Sequence, residues 1–131
     1  MPREGQELGS DAFRLRFQRI EDDLLVMEAA YGGDGRLPPE HLHPRQEERF
    51  EVLEGAVRTI VDGAERRYEK GETFAVPAGT PHQMTGDGPA RVHWEVRPAL
   101  RTAAFFETLL SGQPGPDFLS DFRDEIRFTP A

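Results

Sequence analysis

Apolar and polar residues alternate with a period of two along much of this chain. Phe13, Leu15 and Phe17 alternate with Arg14, Arg16 and Gln18, the pattern of a strand with one buried face and one wet face. Leu24 to Tyr31 is apolar on both faces and predicts a second strand. Phe50 to Leu53, Val57 to Val61, Thr73 to Val76 and Val92 to Val96 predict further strands. Turn chemistry separates them. Gly32-Gly33-Asp34-Gly35 breaks the chain, Pro38-Pro39 keeps the next approach extended, Asp62-Gly63 is a hairpin signal, and Pro77 and Gly79 close another strand.

The period then changes. Between Leu100 and Leu110, residues Phe105, Phe106, Leu109 and Leu110 share one helical face, with Gly112 just past the end. Gln113-Pro114-Gly115-Pro116 reads as a linker, and Asp117 is placed to cap a second short helix carrying Phe118, Phe122 and Ile126. About eight strands followed by helices predict a small antiparallel sandwich or barrel with a helical tail. The 131 residues fit one domain, residues 1–131, with the barrel over about 10–98 and the tail over about 99–131.

Composition narrows what such a fold does. The net charge is −8 and only Lys70 is a lysine, so there is no clustered cationic face for nucleic acid or for an anionic membrane surface. The opening Met1-Pro2-Arg3-Glu4 is polar, and no stretch resembles a membrane span or a secretory leader. There is no cysteine. Disulfides and thiolate ligands are thereby excluded, which agrees with a cytoplasmic protein and restricts any metal site to nitrogen and oxygen donors.

Three of the four histidines fall in two spaced signatures. One runs Gly35, His41-Leu42-His43, Glu48, Gly55; the other runs Gly71, Pro77-Ala78-Gly79-Thr80-Pro81, His82. Residues two apart on a strand share a face, so His41 and His43 project together. Glu48 shares parity with Phe50 and Val52, whereas Glu47 shares it with Arg49 and Glu51. The apolar set faces inward, so Glu48 is the inward carboxylate. The rigid turn before His82 fixes how that strand enters. His41, His43, Glu48 and His82 therefore form a candidate ligand set, suited to Fe, Mn, Ni, Co or Zn and not to Ca or Mg. Four ligands leave about two octahedral positions for a substrate chelating through oxygens.

The two signatures resemble the paired motifs of the cupin superfamily, in its small single-domain form. The resemblance rests on Gly35, His41, His43, Glu48, Gly55, Gly71, Pro77, Gly79 and His82, and covers roughly residues 35–97. One position departs: the family often has asparagine four residues after the last histidine, where this chain has Gly86. The resemblance implies an all-β jelly-roll β-barrel with short C-terminal helices, commonly a homodimer. It does not imply one reaction, since the family spans dioxygenases, isomerases, decarboxylases and non-enzymatic ligand-binding or sensing proteins.

Beyond the ligands, Trp94, Phe50, Gln83 and Met27 are candidate pocket residues, although the apolar ones equally suit a plain core. His93 lies on the opposite strand face from Trp94, among Arg91, Glu95 and Arg97, and reads as a surface histidine. No Ser-His-Asp arrangement or phosphate-cradling loop stands beside the metal set, and no catalytic residue is assigned. The expected function is a metal-binding protein for a small molecule, an enzyme of dioxygenase or isomerase/decarboxylase type, with a non-enzymatic binding or sensing protein as the alternative.

Overall fold

The alternating segments do become strands, and they close on one another as two sheets. A computed structural model describes residues 1–112 and 114–129; Gln113 of the expected linker and the last two residues of the expected domain lie outside the described residues. The strands are β1 (Glu7–Gly9), β2 (Phe13–Ile20), β3 (Leu25–Tyr31), β4 (His41–Leu42), β5 (Glu47–Glu54), β6 (Ala56–Val61), β7 (Ala64–Glu69), β8 (Thr73–Val76), β9 (His82–Gly86) and β10 (Ala90–Arg97). Helices α1 (Thr102–Ser111) and α2 (Phe118–Asp121) follow, and then a last strand, β11 (Arg127–Phe128).

One sheet has the order β1-β2-β3-β10-β5-β8 and the other β11-β4-β9-β6-β7. Every pairing is antiparallel. The result is an all-β jelly roll, in which inward residues of both sheets share one core. Leu15, Phe17, Met27, Ala29, Val52, Val57 and Val92 are completely buried within it. Burying a side chain of the size of Phe17 or Leu15 contributes about 1.5–3 kcal/mol, and the two stand opposite Met27 and Ala29 across the β2–β3 ladder.

The Asp62-Gly63 signal makes the β6–β7 hairpin, with φ of 49° and 81°. Both central residues are left-handed, as the mirror-image turn that suits strand twist requires. A row of rings then crosses the interior. Tyr68 stacks on Phe74, Phe74 on Phe50 and Phe50 on Trp94, and Phe106 of α1 meets Trp94 edge-on at 5.3 Å.

The C-terminal region departs from the sequence expectation in three ways. Phe105 and Phe106 are buried, but Leu109 is 44% exposed, so the apolar face of α1 is narrower than the four residues predicted. The second helix is only four residues long, and Asp117 makes no side-chain cap there. The chain then leaves helical structure and returns as β11 beside β4. Strands β1 and β11, which no sequence signal marked, extend the two sheets at their outer edges. Short strands of two or three residues carry too few alternations to be recognised by period. Among the described residues, no helix is long and apolar enough to cross a membrane.

Candidate metal centre

His41 lies on β4, His43 immediately beyond it, and His82 opens β9. The strands meet with His41 opposite His82, and His82 is also opposite Val61 of β6. With His43 just past the end of β4, His41 and His82 belong to the five-stranded sheet. Glu48 comes from the other one, on β5, between Val96 and Val76. The candidate centre spans the interior from one sheet to the other.

One nitrogen from each histidine lies within 4.8 Å of the other two. The opposite nitrogen of each ring is committed elsewhere. Nδ1 of His41 is 3.0 Å from the Pro39 carbonyl oxygen, Nδ1 of His43 is 2.7 Å from that of Glu125, and Nδ1 of His82 is 2.8 Å from that of Thr80. A carbonyl only accepts, so in the neutral rings each Nδ1 carries the proton and each Nε2 presents a lone pair. The tautomers follow from these partners.

Glu48 faces those lone pairs. Its Oε1 lies 3.2 Å from His43 Nε2 and 2.9 Å from His82 Nε2. Its Oε2 accepts a hydrogen bond from Trp94 Nε1 at 2.8 Å. Among the described residues, the fully buried polar side-chain atoms without a hydrogen-bond partner are His43 Nε2, Gln46 Oε1 and Glu48 Oε1. Two of those three face each other here. While the rings are neutral, acceptors buried at such range with no donor between them repel, and a proton on an imidazole or a cation among them removes the repulsion. The donor set, imidazole nitrogen plus carboxylate oxygen, is that of a borderline transition ion, so the residues fit such an ion.

The same geometry shifts the acid–base behaviour. Burial opposes charge on Glu48, but the imidazoles of His43 and His82 outweigh it and hold the carboxyl well below its ordinary range. Burial likewise opposes protonation of His43, yet the Glu48 carboxylate and the Glu125 carbonyl raise it above its ordinary value. His41 moves the other way, down to about 4, chiefly because burial disfavours its cation and secondarily because His82 and His43 lie beside it. A site that gathers histidines yet retains one strongly ionised carboxylate is built around positive charge.

The parity choice between the adjacent glutamates agrees with their placement. Glu48 is 1% exposed, whereas Glu47 turns to the outside and pairs with Arg49 at 2.6 Å. The four candidate pocket residues separate. Trp94 is buried and grips Glu48; Phe50 is buried between Phe74 and Trp94. Met27 has no exposed surface. Gln83 is half-buried and donates its amide to the Pro38 carbonyl at 2.8 Å. His93 is on the outer face, bonded to Glu95 at 2.9 Å.

Two features went unread in the sequence. The Trp94–Glu48 bond depends on register: Trp94 stands opposite Phe50 and Glu48 opposite Val96, so the two are diagonal neighbours on one face. The Glu125 carbonyl is 82 positions from His43, and no local pattern announces a main-chain contact at that range.

A jelly-roll barrel with a histidine trio on and just beyond the strands of one sheet, and a buried carboxylate on the other sheet, defines a small β-barrel protein with a candidate metal centre. The chain belongs to the cupin family: the sequence model of the cupin domain matches residues 27–96, the stretch that holds all four candidate ligands. Among curated proteins, none matches the chain. Solved structures share the fold. KdgF from Halomonas sp. superposes with a TM-score of 0.63 at 22% identity, over 68% of this chain and 81% of that one. An RmlC-like cupin from Shewanella frigidimarina gives 0.66 at 19% identity, over 72% and 85%. A variant of PAC13 from Streptomyces, in complex with uridine, gives 0.62 at 14% identity, over 72% and 76%.

Proposed function

We propose that this protein is a metal-dependent cupin enzyme whose centre, formed by His41, His43, His82 and Glu48, takes a divalent Fe, Mn, Ni, Co or Zn ion and a small oxygenated compound. The observation that carries this reading is the convergence of buried groups without a hydrogen-bond partner, His43 Nε2 against Glu48 Oε1, with His82 Nε2 2.9 Å from the same oxygen. When bound, such an ion supplies Lewis-acid stabilisation of charge developing on a chelated oxygen. The chain's own residues prepare the place for it. The carbonyls of Pro39, Glu125 and Thr80 accept from the three Nδ1 atoms, so that each neutral ring turns its Nε2 lone pair toward the centre. Trp94 ties down one Glu48 oxygen and leaves the other free. His41 is less enclosed than its two companions, which makes its side of the centre the way in. Gln83 lies beside that approach, with Trp94, Phe50 and Met27 as the buried wall behind.

The reaction class is a dioxygenase or an isomerase/decarboxylase acting on an oxygen-chelating acid or ketone. The net charge of −8 supports a small-molecule partner over nucleic acid or membrane, and we place the protein as a cytoplasmic homodimer. The test begins with purification under several metal supplies and a measurement of bound metal. Oxygen consumption with the Fe(II) form and a panel of 1,2- and 1,3-dioxygenated acids identifies a dioxygenase. Exchange or loss of a substrate α-proton or carboxyl without oxygen uptake identifies an isomerase or decarboxylase. Tight binding of a panel member that is returned unchanged under every metal overturns the enzyme reading in favour of a binding or sensing cupin.

A further inference from the structure

The strand that carries His41 and leads into His43 is one of the two shortest in its sheet. β4 has two residues, and it meets β9 at a single pair, His41 opposite His82. On its other side lies the C-terminal segment. Arg127 is opposite Leu42 and Phe128 opposite His41. The Thr129 amide donates to the Glu40 carbonyl at 3.1 Å, and the Thr129 hydroxyl donates to Glu40 Oε1 at 2.7 Å. Glu125 adds its carbonyl to His43 Nδ1 at 2.7 Å. Residues 125–129 thus touch Glu40, His41, Leu42 and His43 in turn.

The same segment is fastened at its other end to α1. Phe122 and Ile126 are buried, with Phe122 packed edge-on against Phe105 and Phe118. The Glu125 side chain is 3% exposed. Its Oε2 accepts from the Arg101 amide at the start of α1 at 3.2 Å, and its Oε1 lies 3.5 Å from the Arg101 guanidinium. That guanidinium covers the Phe122 ring at 4.7 Å. Glu125 therefore works in two directions: its carboxylate anchors the segment to the helix, and its carbonyl orients a candidate ligand.

We propose that residues 122–129 form a strap whose docking sets the tautomer and position of His43, with Glu125 as a positioning residue, so that strap docking and metal binding are thermodynamically coupled. The inference rests on the metal reading of the centre. With the strap docked, His43 Nδ1–H has its acceptor and Nε2 stays a lone pair. With the strap released, the ring loses that acceptor and the β4 side of the site loses its outer ladder. Coupling of this kind is reciprocal: whatever the strap adds to metal affinity, the metal adds to strap docking.

The experiment uses the full chain and Co²⁺ as the probe. Co²⁺ affinity is measured by competition with a chromophoric chelator, and amide hydrogen exchange at residues 127–129 is followed with and without the ion. Glu125→Ala is expected to weaken Co²⁺ binding by about 10–100-fold, the usual range for a partner that orients a ligand. Glu125→Gln, which keeps an acceptor for the Arg101 amide, is expected to recover most of that loss. Thr129→Val, at the far end of the strap, is expected to cost a smaller factor without touching the α1 anchor, and it serves as the readout should Glu125→Ala fail to fold. In the wild type, Co²⁺ is expected to slow exchange at 127–129 but not in β2. Wild-type affinity in the strap variants, with exchange at 127–129 indifferent to Co²⁺, overturns the strap while leaving the metal reading intact. Absence of Co²⁺ binding by the wild type removes the metal reading itself and the strap proposal with it.

Discussion

The Trp94 indole donates its Nε1 hydrogen to Oε2 of Glu48 across 2.8 Å, between neighbouring strands of the same sheet. This bond leaves Glu48 Oε1 as the carboxylate oxygen turned toward the histidines. Trp94→Phe keeps a ring for Phe50 and Phe106 to pack on but removes the donor. A buried carboxylate oxygen without its partner costs about 1–3 kcal/mol. We expect the urea midpoint of the metal-free protein to fall accordingly. Metal affinity should weaken by about 10–100-fold, read by competition titration. Affinity equal to the wild type would show that the indole only fills space.

The two adjacent glutamates offer a direct comparison. Glu48→Ala removes the inward carboxylate and is expected to lower bound metal, as are His41→Ala and His82→Ala. Glu47→Ala removes an outward side chain paired with Arg49 and should change stability by no more than about 1 kcal/mol, the range of surface ion pairs. Metal content of the purified variants, measured by mass spectrometry, decides it. A loss confined to Glu47→Ala would reverse the assignment.

Gly86 stands where the family often has asparagine, and its surroundings account for the difference. A Cβ at this position would meet the Gly88 carbonyl oxygen at 2.6 Å and Tyr31 Cβ at 2.7 Å. Gly86→Asn should therefore destabilise the fold by about 1–3 kcal/mol through overpacking. Adding Tyr31→Ala should not rescue the fold, because alanine keeps the Cβ at 2.7 Å and the main-chain clash with Gly88 also remains. Chemical unfolding of the single and double variants measures both. An unchanged midpoint in Gly86→Asn would mean that the β9 end relaxes freely.

His41 and His43 shift in opposite directions in the metal-free protein. His41 falls from its ordinary 6.5 to about 4 on folding. Between those values the unfolded chain binds more protons, so His41 costs stability as the pH drops from 6.5 toward 4. His43 is raised, so its contribution is complete below 6.5 and is lost as the pH rises through its folded value. His41→Gln should thus flatten the acid loss of stability, and His43→Gln should steepen it. Thermal midpoints of the metal-free proteins across pH 4–8 test the pair, and identical slopes would refute the assignment.

The jelly roll was legible because its longer strands carry several alternations each, as β2 and β5 do with their buried and exposed residues in turn. The inward placement of Glu48 was legible because strand parity is a local property: Glu48 and Phe50 share a face whichever strand lies beside them. The extents of the short strands were not legible: the spacing of His41 and His43 predicts a strand through both, whereas β4 stops at Leu42. β4 and β11 are each two residues long and take their identity from neighbours distant in sequence. The tail showed the same limit: Phe118, Phe122 and Ile126 have helical spacing, yet the helix stops at Asp121 and the chain is drawn back to β4.

The sequence alone determined the class of fold, the faces of its long strands, the absence of any thiolate donor and the inward placement of Glu48. These depend on spacing within a few residues and on which residue types are present. Only the tertiary structure decided that Trp94 holds Glu48, that Gly86 makes room for Tyr31, and that Glu125 orients His43. Those three depend on register and on chain return. They arise when distant segments are brought to hydrogen-bonding or van der Waals range, a condition no local pattern encodes.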